Sequence, residues 1–253
     1  MSIEREENRL LFEGSYNFRD LGGFETIDGF TTKYNLIFRS DALHEMTDAD
    51  SEIFQNELKI TTVIDMRTDN AIQKEGLGKA INENIKRIHI PLFSDSDATE
   101  WSQKERAPEE PADLVAFYIW VMEKSGDQIV DVIENLIKTD DSVPAVFHCF
   151  AGKDRTGIIA AVVLSLLNVH EDHIVDDYAE SHKYKHKILE RMKRSMTEEN
   201  YEKFPKELMD AYPETLVAVL QYINNTYGSM KAYALSKGLS NDSIIRMKNL
   251  FLE

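Results

Sequence analysis

Val146-Phe147-His148-Cys149-Phe150-Ala151-Gly152-Lys153-Asp154-Arg155-Thr156-Gly157 is the stretch on which the reading of this 253-residue chain turns. Val146 and Phe147 are β-forming, while Ile158 to Leu167 is apolar all round and reads as a buried helix. A strand therefore enters the stretch and a core helix leaves it. Between them, Phe150 to Asp154 form a turn that contains Gly152 and can aim successive backbone N–H groups inward, an anion nest at a helix N-terminus. Arg155 follows, with a planar fork suited to two oxygens of one phosphate. An inert core cysteine does not explain what comes after Cys149: two glycines, Lys, Asp, Arg and Thr fall within the next eight residues, and no core strand uses them.

Further out, short β-branched runs at Leu36 to Arg39, Thr61 to Asp65, Ile85 to Ile90 and Pro144 to His148 alternate with helical patterns. Thr47 to Leu58 reads as a helix with Thr47 as N-cap and Asp48 and Asp50 in its first turn. Ala112 to Lys124 and Gln128 to Lys138 have apolar positions at helical spacing. Beyond Arg155 the chain is almost wholly helical, with segments expected at Asp172 to Ser181, Lys183 to Met196, Glu214 to Tyr227 and Asn241 to Leu252, separated in part at Pro213 and Gly238. The fold class is α/β: a central, mostly parallel sheet of short strands flanked by helices, with a helical C-terminal part. Without repeats or linkers, one domain over residues 1–253 is expected, with residues 1–16 as an N-terminal arm and about 170–253 as a helical extension packed on the core.

The composition, 42% hydrophobic and 29% charged, is that of a globular protein, and the net charge of −16 opposes binding to nucleic acid. The single cysteine rules out an internal disulfide. No apolar run is long enough for an integral membrane segment, and the charged start lacks a signal-peptide pattern. A cytoplasmic location is expected, with secretion by a route without a signal peptide, or removal of a signal, left open. The oligomeric state is not legible. Charge is uneven: residues 181–194 hold six Lys/Arg against one acid, and residues 95–113 hold seven Asp/Glu against two Lys/Arg. These read as solvated faces or, functionally, as a basic recognition surface and an acidic lid beside the site.

The chemistry of the turn is nucleophilic. A thiolate attacks where a thiol does not, and a helix N-terminus with a nearby guanidinium favours the thiolate. The same groups would bind the substrate's phosphate: the amides of Phe150, Ala151, Gly152, Lys153 and Asp154, and the fork of Arg155. Thr156 can hydrogen-bond the sulfur and ease its departure, and His148 orders the loop.

HCFAGKDRTG resembles the phosphate loop of the Cys-x5-Arg phosphatase superfamily, and the fuller resemblance is to the bacterial atypical, multi-specificity tyrosine phosphatases of the PtpB/LipA type. Asn17-Phe18-Arg19-Asp20-Leu21-Gly22-Gly23, Phe38-Arg39-Ser40-Asp41, Ile64-Asp65-Met66-Arg67, Thr226-Tyr227-Gly228-Ser229 and Arg246-Met247 are similar to signatures of that group. The resemblance implies a tyrosine-phosphatase-like fold and metal-independent, cofactor-free hydrolysis of phosphomonoesters through a phosphocysteine. Phosphotyrosine in proteins is the leading substrate, with phosphoserine or phosphothreonine beside it. Cys149 would attack, Arg155 would hold the phosphoryl oxygens, and an acid would protonate the leaving oxygen.

Two acids are candidates. Asp154, inside the loop, is favoured because it is fixed beside the phosphate. Asp95, in Pro91-Leu92-Phe93-Ser94-Asp95, stands where ordinary tyrosine phosphatases carry an aspartate on a mobile loop. Lys153 resembles the loop lysine of a lipid phosphatase, and would contact a second phosphate on an inositol ring or pair with Asp95 or Asp154. Arg19, Asp20, Asp65 and Arg67 are expected to form a buried ion network behind the loop that fixes Asn17 and Gly22-Gly23. The histidine pairs His182/His186 and His170/His173 lack a third ligand and read as surface residues. A phosphoinositide phosphatase is the alternative enzyme. A phosphate-binding pseudophosphatase module is the alternative outside enzymes, disfavoured because Cys149 and Arg155 are both present.

Overall fold

The computed structural model describes residues 5–6, 9–97 and 113–253. Among the described residues seven strands form one sheet: β1 Arg5–Glu6, β2 Arg9–Leu10, β3 Arg19–Asp20, β4 Ile37–Ser40, β5 Thr62–Asp65, β6 Lys86–His89 and β7 Ala145–His148, in the order β1-β2-β3-β4-β7-β5-β6. The four runs expected as strands are β4 to β7, and they pair with one another in parallel. The edge β1-β2-β3 is antiparallel and joins β4 through Arg19 opposite Arg39. It was missed because two-residue strands carry no readable alternation. Residues 9–16 of the expected N-terminal arm lie against the body, with Leu10 and Phe12 buried.

Side-chain alternation explains the layers. Ile37, Ile64, Ala145 and Phe147 point to the larger core, while Phe38, Val63 and Val146 point to a smaller one with Phe18, Phe54 and Leu58. Phe54 and Leu58 of the smaller core follow α1 Asp48–Glu52, where Thr47 and Asp50 make a reciprocal capping box. The helix expected to continue to Leu58 changes to a π turn over Ile53–Glu57. α2 Asp69–Glu75 follows β5, and α3 Asp113–Lys124 and α4 Gly126–Leu136 cover the larger core.

At the centre of that core lies α5 Asp154–Leu166, buried along nearly its whole length. Each fully buried Ile, Val or Leu there stabilises by about 1.5–3 kcal/mol, so the helix that begins at the cysteine loop cannot shift without a large cost. The C-terminal helices are α6 Glu171–Ala179, α7 Lys185–Ser195, α8 Glu198–Lys203, α9 Pro213–Tyr227, α10 Met230–Ser236 and α11 Asn241–Phe251. Three short ones escaped the sequence reading (α2, α8 and α10), although their N-caps Thr68, Thr197 and Ser229 were present as signals. Among the described residues, no helix is long and apolar enough to cross a membrane. Most of the acidic stretch read as a lid, residues 98–112, lies outside the described residues.

Parallel pairing sets Ser40, His148 and Asp65 side by side at the carboxyl ends of β4, β7 and β5. In open α/β sheets this is the edge where ligands bind.

Candidate active site

Cys149 follows β7 directly and is buried, and Thr156 Oγ1 donates a hydrogen bond to its sulfur at 3.1 Å. The loop's carbonyls are engaged away from its hollow. Phe150 O accepts from the Ala42 amide at 3.0 Å, Ala151 O from Asn17 Nδ2 at 3.1 Å, and Gly152 O from Arg39 Nη2 at 2.8 Å. Each peptide plane carries its N–H opposite its carbonyl, so these bonds turn the following amides towards the hollow. Gly152 has φ of +68°, and a Cβ there would stand 2.6 Å from the Asp41 nitrogen. Only glycine fits that approach.

Behind the loop lies a buried ion cluster. Asp177 accepts from Arg19 Nε at 2.7 Å through one oxygen and from Arg39 Nη1 through the other. Burial alone would raise the Asp177 pKa, but the two guanidiniums hold it below the usual carboxylate range. Burial, with Arg19 adding repulsion, lowers the Arg39 pKa to about 10, which still leaves it charged at neutral pH. Two cations on one carboxylate leave a positive excess beneath an anion-binding loop. On the other flank Asp41 accepts from Ser15 Oγ at 2.6 Å, the Asn17 amide at 3.0 Å and Arg191 Nη1 at 2.8 Å. Arg39, Asp41, Asp177 and Arg191 carry this scaffold, and the sequence reading gave none of them a role. Asp177 and Arg191 lie on helices far along the chain with nothing local to mark them. Arg39 and Asp41 stood in a recognised motif.

The expected network is thus divided. Arg19 and Asn17 do meet behind the loop, where Asn17 bonds Arg19 and Ser181 as well as Ala151. Asp20 braces a turn, accepting from the amides of Gly22 at 2.9 Å and Asn35 at 2.8 Å. Asp65 and Arg67 form a separate pair at 2.8 Å, extended by Arg87 at 3.2 Å and by Glu75 at 3.3 Å from Arg67. His148 is fully enclosed, with Nδ1 3.2 Å from Cys149 O. Burial pushes its pKa down to about 4 despite the nearby Asp65, so the ring is neutral near neutral pH and serves as a brace.

On the open side, Arg155 donates to Met66 O at 3.1 Å and lies over the Phe93 ring at 5.2 Å. Among the described residues it has no carboxylate partner. Asp154 Oδ1 accepts from Tyr118 Oη at 2.6 Å and pairs with Lys153 Nζ at 3.2 Å. Both contacts fall on Oδ1. Tyr118 itself is held well above its usual pKa by burial and by Asp154, so it remains a donor. Asp95 is exposed and accepts from the Asn70 amide at 3.2 Å. Lys153 is not aimed into the hollow: it is buried, donating to Leu208 O and, at 3.0 Å, to Asp210 O. The inositol-phosphate contact expected of it is not formed by this geometry; the pairing with Asp154 is.

The basic stretch is for the most part the solvated face expected, with Lys183, Lys187, Lys193 and Arg194 exposed. Lys183 pairs with Glu180 at 2.7 Å, Lys185 with Asp210 at 2.6 Å, and Arg194 with Glu45 at 2.7 Å, while Arg191 is buried. His182 pairs with Asp210 at 2.9 Å, and among the described residues no group of His, Cys, Asp or Glu is arranged to hold a metal ion.

A cysteine and an arginine around an amide-lined hollow at the end of a parallel sheet are the parts of a cysteine-dependent phosphatase. Residues 10–253 match the sequence profile of the tyrosine phosphatase family, and the chain belongs to it. It is similar to the triple specificity protein phosphatase PtpB of Mycobacterium tuberculosis, 25% identical over 94% of this chain and 97% of that protein. A putative tyrosine-protein phosphatase of Cupriavidus necator is 28% identical over 68% of this chain and 62% of its own length. Among solved structures, TpbA of P. aeruginosa aligns with a TM-score of 0.36 and 13% identity, covering 75% of this chain and 89% of that one.

Proposed function

We propose that the protein hydrolyses phosphotyrosine in proteins, and phosphoserine or phosphothreonine beside it, in two steps. Cys149 Sγ attacks phosphorus as the ester P–O bond breaks, and the Asp154 proton passes to the leaving oxygen. The loop amides and Arg155 hold the remaining phosphoryl oxygens, supplying donors where charge develops. Water then attacks the phosphocysteine, its proton returns to Asp154, and the S–P bond breaks with help from Thr156, releasing inorganic phosphate. Of the two acids, Asp154 is supported by its place in the loop beside Arg155, whereas Asp95 is engaged with Asn70.

One observation carries the reading: the arginine of the motif has no carboxylate partner among the described residues, while three other arginines around the loop are each ion-paired. The test is hydrolysis of nitrophenyl phosphate and a phosphotyrosine peptide, with orthovanadate as inhibitor. Activity on both, blocked by orthovanadate and abolished in Cys149→Ser, is expected. Undiminished activity in Cys149→Ser would overturn the mechanism, and preferential turnover of inositol phosphates would replace the substrate.

A further inference from the structure

An ammonium has three N–H donors, and Lys153 has three acceptors within reach: Leu208 O, Asp210 O at 3.0 Å and Asp154 Oδ1 at 3.2 Å. Its side chain is buried, so its position is set by these partners and not by solvent. The carbonyls belong to the 3-10 turn Lys206–Met209 and the residue after it. Asp210 is held from the far side too, its carboxylate accepting from Lys185 at 2.6 Å and Tyr212 at 3.1 Å. The turn is therefore fastened to the phosphate loop by Lys153 and to α7 by Lys185.

That turn is one wall of a cleft of about 860 Å³ among the described residues, lined mainly by Leu114, Phe117, Met196, Phe204, Leu208 and Met209, with Asp154 also in its lining. Asp154 thus borders both the phosphate hollow and the cleft. The acid of a phosphatase must touch the ester oxygen, and that oxygen carries the organic group away from phosphorus. An organic group leaving past Asp154 enters this cleft. Its lining suits an apolar or aromatic group, and two methionines allow it to fit more than one shape.

We propose that Lys153 is a positioning residue that pins the Leu208–Asp210 wall to the phosphate loop and so fixes an apolar leaving-group site for aryl and long alkyl esters. This rests on the reading of Asp154 as the acid. Lys153 then acts on the organic half of the substrate and not on a second phosphate.

The test compares kcat/KM for naphthyl and phenyl phosphate, with orthovanadate inhibition as a probe of the phosphate hollow alone. Wild-type enzyme is expected to prefer naphthyl phosphate. In Lys153→Met the naphthyl-to-phenyl ratio should fall about tenfold, the scale of a partly lost apolar pocket, while the orthovanadate Ki moves less than about threefold. Lys185→Gln, which loosens the same wall from outside the loop, should shift the ratio in the same direction by a smaller factor. It decides the matter if Lys153→Met does not fold. An unchanged ratio in both variants overturns the proposal, as does an equal loss in both esters and in orthovanadate binding, which would mark Lys153 as a phosphate ligand. A wild type inactive on all aryl esters would fail the proposed function instead.

Discussion

The phosphate loop has two sides that differ in how their polar groups are satisfied. On the inner side Arg19, Arg39, Asp177, Asp41 and Arg191 are almost wholly buried, and each carboxylate accepts from more than one donor. On the outer side, among the described residues, Thr156 donates to Cys149, and Arg155 meets one carbonyl and an aromatic face. The inner side spends its charges on holding the loop's shape; the outer side keeps Arg155 available for an anion. Substitutions behind the loop should therefore act on stability, and substitutions in front of it on rate.

Asp154→Asn tests the front at its strongest. Loss of a general acid lowers rates about 10²–10⁴-fold, but only where the leaving oxygen needs a proton. The variant should lose that factor on alkyl phosphates and little on nitrophenyl phosphate. Equal losses on both esters would remove Asp154 from the acid role, and the same pattern in Asp95→Asn would move the role there.

Behind the loop, Asp177→Asn leaves two buried guanidiniums without their carboxylate. A destabilisation of about 3–5 kcal/mol in urea unfolding is expected. A fully stable, inactive variant would break the comparison, because it would place Asp177 in the chemistry. Arg155→Lys is the converse: kcat should drop about 10²–10³-fold, with stability within about 0.5 kcal/mol of the parent.

The smallest effect concerns His148. Its folded-state pKa of about 4 lies below the unfolded value of 6.5, so the fold disfavours protonation. Its contribution is complete above the unfolded pKa and is lost as pH falls from there through the folded one, by about 3 kcal/mol in total. His148→Gln should flatten the acid side of the stability curve over that window. An unaltered pH profile would mean that other groups dominate it.

The strands were legible as short β-branched runs and the core helix as a continuous apolar run, and the cysteine loop because its chemistry is contiguous. What was not legible is contact at a distance. Asp177 reads as an ordinary helix acid until α6 packs its carboxylate against Arg19 and Arg39. Arg191 reads as part of a basic face until α7 turns it onto Asp41. Lys153 illustrates the limit within a motif: the sequence places it in the loop, but only the fold shows that its ammonium faces Leu208 and Asp210. Asp20 and Asp65 were grouped with Arg19 and Arg67 because all sit at strand ends or turns, yet Asp20 follows Arg19 on β3 with its side chain on the opposite face, and Asp65 pairs with Arg67 at the end of β5.

The central claim is that Cys149 carries the phosphoryl group between the two steps. Acid-quenching the enzyme during turnover of nitrophenyl phosphate, followed by peptide mapping, measures this directly. One phosphoryl group on the peptide containing Cys149, absent in Cys149→Ser, is the expected result. Hydrolysis that proceeds with that cysteine never phosphorylated would contradict it.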